Sequence, residues 1–167
     1  MKKEKEKELL KLKRKYSPKY ILTEKMLEVY LFFMVLIAFC FSNKKMIYGM
    51  IAIVIFAIII SLKLILEKRK SNHTFMKFYE DRIEFKGSMF FWKVEERTLK
   101  YSEIKDITFT QGATFFEKRF QKAFGYGNIY VYPKKGTYLS NGMQIELVEN
   151  IQERVEEIRN IVGDKIG

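Results

Sequence analysis

The sequence predicts an α+β membrane protein, in which a transmembrane hairpin of two helices precedes a domain of antiparallel strands closed by a C-terminal helix. Two observations lead to this prediction. Apolar runs at residues 29–41 and 46–66 are separated by only four polar residues. After residue 71 the chain changes to short runs rich in aromatic and β-branched residues, which are typical of strands.

The second apolar run is long enough to cross a membrane. It contains 21 residues, Met46 to Leu66, and its single charge is Lys63 near the end. A helix rises about 1.5 Å per residue, so about 20 residues span a hydrocarbon core that is about 30 Å thick. Helices on the core of a soluble domain normally keep a polar face over such a length. We therefore predict a spanning helix here.

The first apolar run is shorter, and two interpretations of it stay open. Its strictly apolar part has 13 residues, and extension from Met26 to Ser42 gives 17, which is the lower limit for a span. This length predicts a first spanning helix within a hairpin at residues 20–66. The alternative is a short re-entrant or interfacial helix, because the stretch from Tyr20 to Tyr30 is amphipathic.

The basic residues are concentrated beside the apolar segment. Residues 1–28 carry a net charge of +5 and residues 67–70 a net charge of +2, whereas residues 71–167 carry only +1. Basic residues next to spans favour the cytoplasmic side. We therefore expect a multi-pass protein of the plasma membrane, with both termini in the cytoplasm and residues 42–45 outside.

Two basic clusters are candidates for contact with anionic lipid. One lies in a cytoplasmic tail, residues 1–19, which we expect to be partly helical and to stop before Pro18. The other lies in a basic junction, residues 67–73. The candidate membrane-surface residues are Lys11, Lys13, Arg14, Lys15, Lys68, Arg69 and Lys70.

Six or seven strands are predicted between residues 74 and 148. Their spacing is typical of an antiparallel meander or a small barrel. Glu80 and Asp81 separate the first two runs and predict a tight hairpin. The run MFFWKV predicts a half-buried strand with Trp92 in the core.

A single helix is predicted to follow the strands. Asn150 is expected to cap it, with Glu153 three residues later completing a capping box. Apolar residues at helical spacing mark one face, and Gly163 is expected to end the helix. An amphipathic helix at this place in the chain can close the open end of a barrel.

The chain resembles the small bacterial membrane proteins with a pleckstrin-homology-like (bacterial PH, DUF304-type) domain. The stretches that carry the resemblance are LKYSEIKDI (Leu99 to Ile107), FEKRFQKAFGYGNIYVY (residues 116–132) and QIELVENIQERVEEI (residues 144–158), and it covers roughly residues 20–163. It implies a PH-like split β-barrel of two sheets at residues 74–163, closed by the C-terminal helix. It also implies no enzymatic activity.

The resemblance does not imply a particular lipid. Phosphoinositide-binding PH domains carry a Lys-x(n)-Arg-x-Arg pattern across the first hairpin. Here the hairpin has Lys77 and Arg82, but Glu84 stands where the second arginine should be. Membrane lipid is therefore expected as a partner without a defined headgroup.

Patterns that would indicate catalysis or metal binding are missing from the sequence. His73 lies in the junction and Cys40 in the first apolar run, so these single copies cannot form a nucleophile–base pair. A zinc site needs three or four Cys, His or acidic ligands at short spacing. The paired carboxylates at residues 80–81 and 95–96 fall where we expect turns. We therefore predict no enzyme, no metal, no cofactor and no nucleic-acid partner.

The stretch at residues 111–127 combines basic and aromatic side chains. At helical spacing Phe116, Phe120 and Phe124 fall on one face. One interpretation is a short helix that packs this face on the domain. The other is a basic–aromatic surface that contacts the membrane interface or a protein partner. The candidate binding residues are Phe116, Lys118, Arg119, Phe120 and Lys122.

Together these features predict a non-enzymatic, membrane-anchored PH-like module that faces the cytoplasm and binds lipid, a protein partner or another copy of itself. The alternative is a small accessory subunit of a membrane transport or secretion complex, in which the hairpin is the working part. We also expect residues 72–167 to fold without the hairpin, because they hold enough aromatic and β-branched residues for a core.

Overall fold

The computed structural model describes residues 7–23, 26–43, 46–88, 94–112, 115–137 and 142–166. It is a mixed α+β structure that divides into two compact units. The first unit, which we call the β domain, combines residues 7–15 with residues 70–166. The second, the apolar unit, is Tyr16–Arg69.

Along the chain, one strand of the β domain comes first, the helices of the apolar unit follow, and the other elements of the β domain come last. The helices are α1 (Pro18–Thr23), α2 (Leu27–Ser42), α3 (Met46–His73), α4 (Phe115–Ala123) and α5 (Ile151–Val162). The strands are β1 (Leu10–Lys13), β2 (Phe75–Phe78), β3 (Arg82–Ser88), β4 (Val94–Lys100), β5 (Ile104–Thr110), β6 (Gly127–Pro133) and β7 (Met143–Val148).

The β domain contains two antiparallel sheets around one core. One sheet has the order β1-β2-β3-β4 and the other the order β5-β6-β7. Residues from both sheets, such as Phe78, Ile83 and Ile145, are fully buried, and Ile158 of α5 packs with them. The expectation of antiparallel strands followed by a helix is therefore confirmed, but within the described ranges the sheets do not form a closed barrel.

In the described part of the tail, residues Leu10–Lys13 form a strand, so the expectation of a helix over these residues is wrong. β1 pairs antiparallel with β2 and places Leu12 opposite Met76. Leu12 is only 2% exposed and belongs to the core. Leu10 and Leu12 alternate with lysines, which is the period of a half-buried strand. Burial of Leu12 outweighs the weak helix preference of its charged neighbours.

This N-terminal segment connects the two sheets of the β domain. Beyond β1, the backbone N–H of Lys15 donates to the carbonyl of Leu147 in β7 at 3.0 Å. The Lys15 ammonium lies 2.9 Å from the Glu149 carboxylate, whose hydrogen bond raises the lysine pKa. The domain therefore begins before the apolar segment and not at residue 74, and the apolar unit is an insertion between β1 and β2.

The apolar unit contains one helix of span length. In the described part of the chain, only α3 is long and apolar enough to cross a membrane, and α2 has 16 residues. Side chains such as Ile47, 73% exposed, and Val35, 71% exposed, leave these helices far less buried than core helices of a soluble domain. The rings of Phe33 and Phe56 stack at 4.8 Å and bring α2 against α3.

The basic junction is the continuation of a helix. α3 runs without a break to His73, because no glycine or proline interrupts residues 67–73. Thr74 ends this helix, and its hydroxyl donates to the carbonyl of Lys70 at 2.7 Å. The basic junction at residues 67–73 is therefore the C-terminal end of α3.

The predicted hairpin at Glu80 and Asp81 is confirmed, since β2 and β3 pair across it. The expected turn at Glu95 and Glu96 is wrong, because both residues lie in β4. There Glu96 stands opposite Lys86 of β3 and pairs with it, so cross-strand attraction favours the strand. The strand expected at MFFWKV, with Trp92, falls on residues 89–93 outside the described ranges.

Helix α5 follows the prediction along its length but not at its start. Gly163, at φ +31°, ends it, and Ile151, Ile158 and Val162 are buried as expected. Asn150 has a left-handed backbone, and its side-chain amide donates to the Glu153 carboxylate at 3.3 Å. A capping residue normally has extended backbone angles. The expected capping box is therefore wrong, because the Asn150 side chain bonds no backbone N–H.

Tyr101 makes the β domain sensitive to alkaline pH. Its hydroxyl donates to the carbonyl of Tyr79 at 2.7 Å, and burial, aided by the Asp81 carboxylate, raises its pKa to about 12. An unfolded tyrosine titrates near 10. The stabilisation is thus complete below about pH 10 and is lost as the pH rises through the folded pKa.

We expect the full chain in mild detergent to lose about 1 kcal/mol more stability between about pH 9 and pH 11 than its Tyr101→Phe variant. Urea unfolding followed by circular dichroism at the two pH values measures this difference. Equal losses of stability in both proteins would show that the pKa of Tyr101 is the same in the folded and unfolded chain.

Candidate functional site

Helix α4 and the residue that follows it expose aromatic side chains, and the helix buries a polar residue. Phe115 is 72% exposed and Phe124 is 46% exposed, whereas Gln121 is fully buried. The expected packing of the whole phenylalanine face against the domain is therefore wrong for Phe124. Phe116 belongs to α4, and its side chain is outside the described set.

The buried side-chain nitrogen of Gln121 has two hydrogen-bond partners. Its amide nitrogen lies 3.2 Å from the Glu117 carboxylate and 3.5 Å from the Asn128 side-chain oxygen. That oxygen also accepts a hydrogen bond of 3.1 Å from the backbone N–H of Leu147. The carbonyl of Gln121 accepts from the Tyr126 N–H at 2.8 Å. The inner side of α4 is thus held to β6 and β7 by polar contacts.

The outer side of α4 carries the predicted basic residues. Lys118, Arg119 and Lys122 are all exposed, and Phe120 is half-buried with its ring centroid 4.5 Å from that of Phe124. The structure therefore places the three basic residues on one helix face with the exposed ring of Phe115. We call the set Phe115, Lys118, Arg119 and Lys122 the α4 surface.

A charged cleft of about 300 Å³ lies at the end of the β domain where β1 ends and β2 begins. Apolar residues such as Phe85 and Met143 line part of it, together with a set of charged side chains. The charged residues of the cleft are Arg14, Lys70, Glu95, Arg97 and Glu146. A volume of this size is at the lower end of the range for small-molecule sites.

Arg97 is held in the cleft by two polar contacts. It lies two residues before the buried Leu99 along β4, so both side chains are on the core side of the sheet. Its guanidinium lies 2.7 Å from the Glu95 carboxylate and also donates to the carbonyl of Gly142. Within the described residues its buried Nε has no hydrogen-bond partner. The Nε–H of Arg97 is therefore available as a hydrogen-bond donor to a polar ligand in the cleft.

Glu146 faces the two places where the chain leaves and re-enters the β domain. Its carboxylate lies 3.7 Å from the Arg14 guanidinium and 3.8 Å from the Lys70 ammonium. The Arg14 carbonyl accepts a hydrogen bond from the Ser71 hydroxyl at 3.1 Å. Sequence reasoning missed this cleft, because its residues lie far apart along the chain. The spacing of two residues between Arg97 and Leu99, which puts both on one face of a strand, was the one local signal.

The candidate membrane-surface residues have different surroundings. Arg14 is 4% exposed, so in this structure its side chain is not available to a membrane surface. Lys11 and Lys13 are exposed on β1, and Lys11 lies over the ring of Phe75 at 4.9 Å. Lys68 and Arg69 are exposed on α3 of the apolar unit. Their contact with lipid stays a prediction.

Neither a metal centre among the described residues nor a similar known protein indicates what the site binds. In the described part of the chain, no three His, Cys, Asp or Glu residues are grouped closely enough to hold a metal ion. A scan of the sequence against protein-family models matches no family, and searches of the curated proteins and of the solved structures find no similar protein.

Proposed function

We propose that this protein is a non-enzymatic binding module, anchored in the plasma membrane by two crossings, with a PH-like β domain in the cytoplasm. The observation that carries the proposal is the pairing of β1 with β2. These neighbouring strands belong to one sheet, yet the whole apolar unit lies between them in the chain.

A sheet cannot be divided by a bilayer, because its backbone hydrogen bonds need both strands on one side. Lys13 and Phe75 are paired residues, so both ends of the apolar segment emerge on the same side of any membrane. If α3 crosses once, the chain must cross a second time before it. This favours a hairpin over a single span.

Helix α2 is the segment available for the other crossing. Its 16 residues reach about 24 Å, which is a few ångströms less than the hydrocarbon thickness. A short span is accommodated by local thinning of the bilayer at a modest energetic cost. The basic residues of the flanks then favour the cytoplasm for the β domain.

The PH-like class and the binding role are supported by the arrangement of the β domain. A four-stranded sheet, a three-stranded sheet and a following helix occur in the order that the resemblance implies for a split barrel. The α4 surface and the charged cleft offer two places for a ligand. Among their described residues neither contains a nucleophile with an adjacent base, which supports a binding role without catalysis.

Cysteine labelling tests the membrane topology. In a chain with Cys40→Ser, a membrane-impermeant maleimide should label Asn43→Cys in intact cells. It should label Lys135→Cys, on the exposed surface of the β domain, only after the cells are permeabilised. Labelling of position 135 in intact cells would reverse the orientation. Recovery of the protein in the soluble fraction would contradict the anchor.

A further inference from the structure

We propose that the α4 surface docks on the anionic surface of the membrane, with Phe115 in the headgroup region and the three basic residues against lipid phosphates. The proposal rests on the proposed function, because the membrane anchor supplies the bilayer. The partner of this surface is then lipid, whereas the sequence alone does not distinguish lipid from a protein partner.

The exposed face of α4 combines an aromatic residue with basic ones. Phe115, the first residue of the helix, is 72% exposed. Lys118, Arg119 and Lys122 follow it by three, four and seven positions, so the four residues share one face of the helix. An exposed aromatic side chain beside basic ones is typical of interaction surfaces.

The hydrogen bonds of Gln121 determine which face of α4 points inward. A helix that packs by burying its apolar face would place phenylalanine at the inward position. Here that position is Gln121, which is fully buried and contacts Glu117 and Asn128. The polar contacts fix the rotation of α4 about its axis, and the opposite face, with Phe115 and Arg119, is therefore held outward by the fold.

The local charge identifies the partner. Lys118, Arg119 and Lys122 place three positive charges within five positions, whereas residues 71–167 together carry only +1. Basic residues beside aromatic ones on a short amphipathic helix fit the interface of an anionic bilayer. A domain tethered to the membrane also meets that surface at a high effective concentration, so a small contact area suffices.

A depth measurement on the full chain tests the proposal. A nitroxide is attached at Phe115→Cys in a Cys40→Ser background, and the protein is reconstituted into nanodiscs of phosphatidylcholine with or without phosphatidylglycerol. In the anionic discs we expect the label to become more accessible to oxygen and less accessible to a water-soluble nickel chelate. High salt should reverse this change, because it screens the basic residues.

Two triple variants with the same net charge distinguish the effect of the α4 surface on docking from the effect of the domain's net charge. Lys118→Gln, Arg119→Gln and Lys122→Gln together should lower the docking equilibrium about 100-fold. The control replaces the exposed lysines Lys100, Lys105 and Lys135 by glutamine, and docking should persist. Circular dichroism checks that both variants fold as the parent does.

Three results would overturn the proposal. A label at position 115 that stays equally accessible to water in neutral and anionic discs shows that α4 does not dock. A label that is shielded in both kinds of disc and in detergent shows that protein, and not lipid, covers the surface. Equal effects of the two triple variants show that only net charge matters. In each case co-elution with the discs keeps the anchor intact, whereas a chain that never enters discs contradicts the proposed function itself.

Discussion

The fragment of residues 72–167 is expected to lose cooperative folding, because it lacks β1. Without this strand, Met76 and Phe78, which are fully buried, lose the cover that Leu12 gives, and β2 loses its hydrogen-bonded neighbour. A domain of this size is stable by about 5–15 kcal/mol, and the loss of an edge strand with a buried leucine removes a large share of it. This revises the expectation from sequence that the fragment folds alone.

A shortened chain that keeps β1 should fold without the apolar unit. The two ends that must be joined are close, since the Arg14 N–H donates to the Thr74 carbonyl at 3.2 Å and the Ser71 hydroxyl lies 3.1 Å from the Arg14 carbonyl. A short glycine–serine linker from Lys15 to Lys70 therefore spans the gap. Circular dichroism melts should show one sharp transition for this chain and a broad or absent one for the fragment.

Matched variants of the shortened chain test the role of β1 directly. Leu12→Ala should lower the free energy of unfolding by about 2–5 kcal/mol, because Leu12 is 2% exposed. Leu9→Ala is the control, with an expected change within about 0.5 kcal/mol, because Leu9 is 37% exposed. A fragment of residues 72–167 that melts as sharply as the shortened chain would refute the assignment of β1 to the core.

Replacement of Asn128 by leucine is expected to cost about 1–3 kcal/mol of stability. Asn128 is 5% exposed, and its side-chain oxygen serves both the Leu147 N–H and the Gln121 amide. Leucine has a similar size but offers no acceptor, so it leaves two buried donors without this partner. Urea unfolding of the shortened chain measures the loss.

Asn160→Leu provides the control for this change. Asn160 is exposed on α5, so the same substitution there should alter stability by no more than about 0.5 kcal/mol. If the two variants unfold at the same urea concentration, the contacts of Asn128 do not hold α4 in place. The orientation of the α4 surface would then need another cause.

Several features could be predicted from sequence because they depend on neighbouring residues. The 21-residue apolar run predicts the span-length helix α3, and Glu80 with Asp81 predicts the turn between β2 and β3. The helical spacing of apolar residues and the glycine at position 163 predict α5 and its end. In each case the signal and the structure lie within the same stretch of chain.

Other features were decided only by the tertiary structure. The sequence around Leu12 is compatible with a charged helix, and its partner Met76 lies beyond the whole apolar unit, so local preference could not reveal the strand. Gln121 faces inward because Asn128 of β6 offers an acceptor. The charged cleft likewise joins Arg14, Arg97 and Glu146 from three distant strands or strand ends. Contacts between residues far apart in sequence outweigh local preferences of a few tenths of a kcal/mol per residue, because burial and hydrogen bonding contribute about 1–3 kcal/mol at each such position.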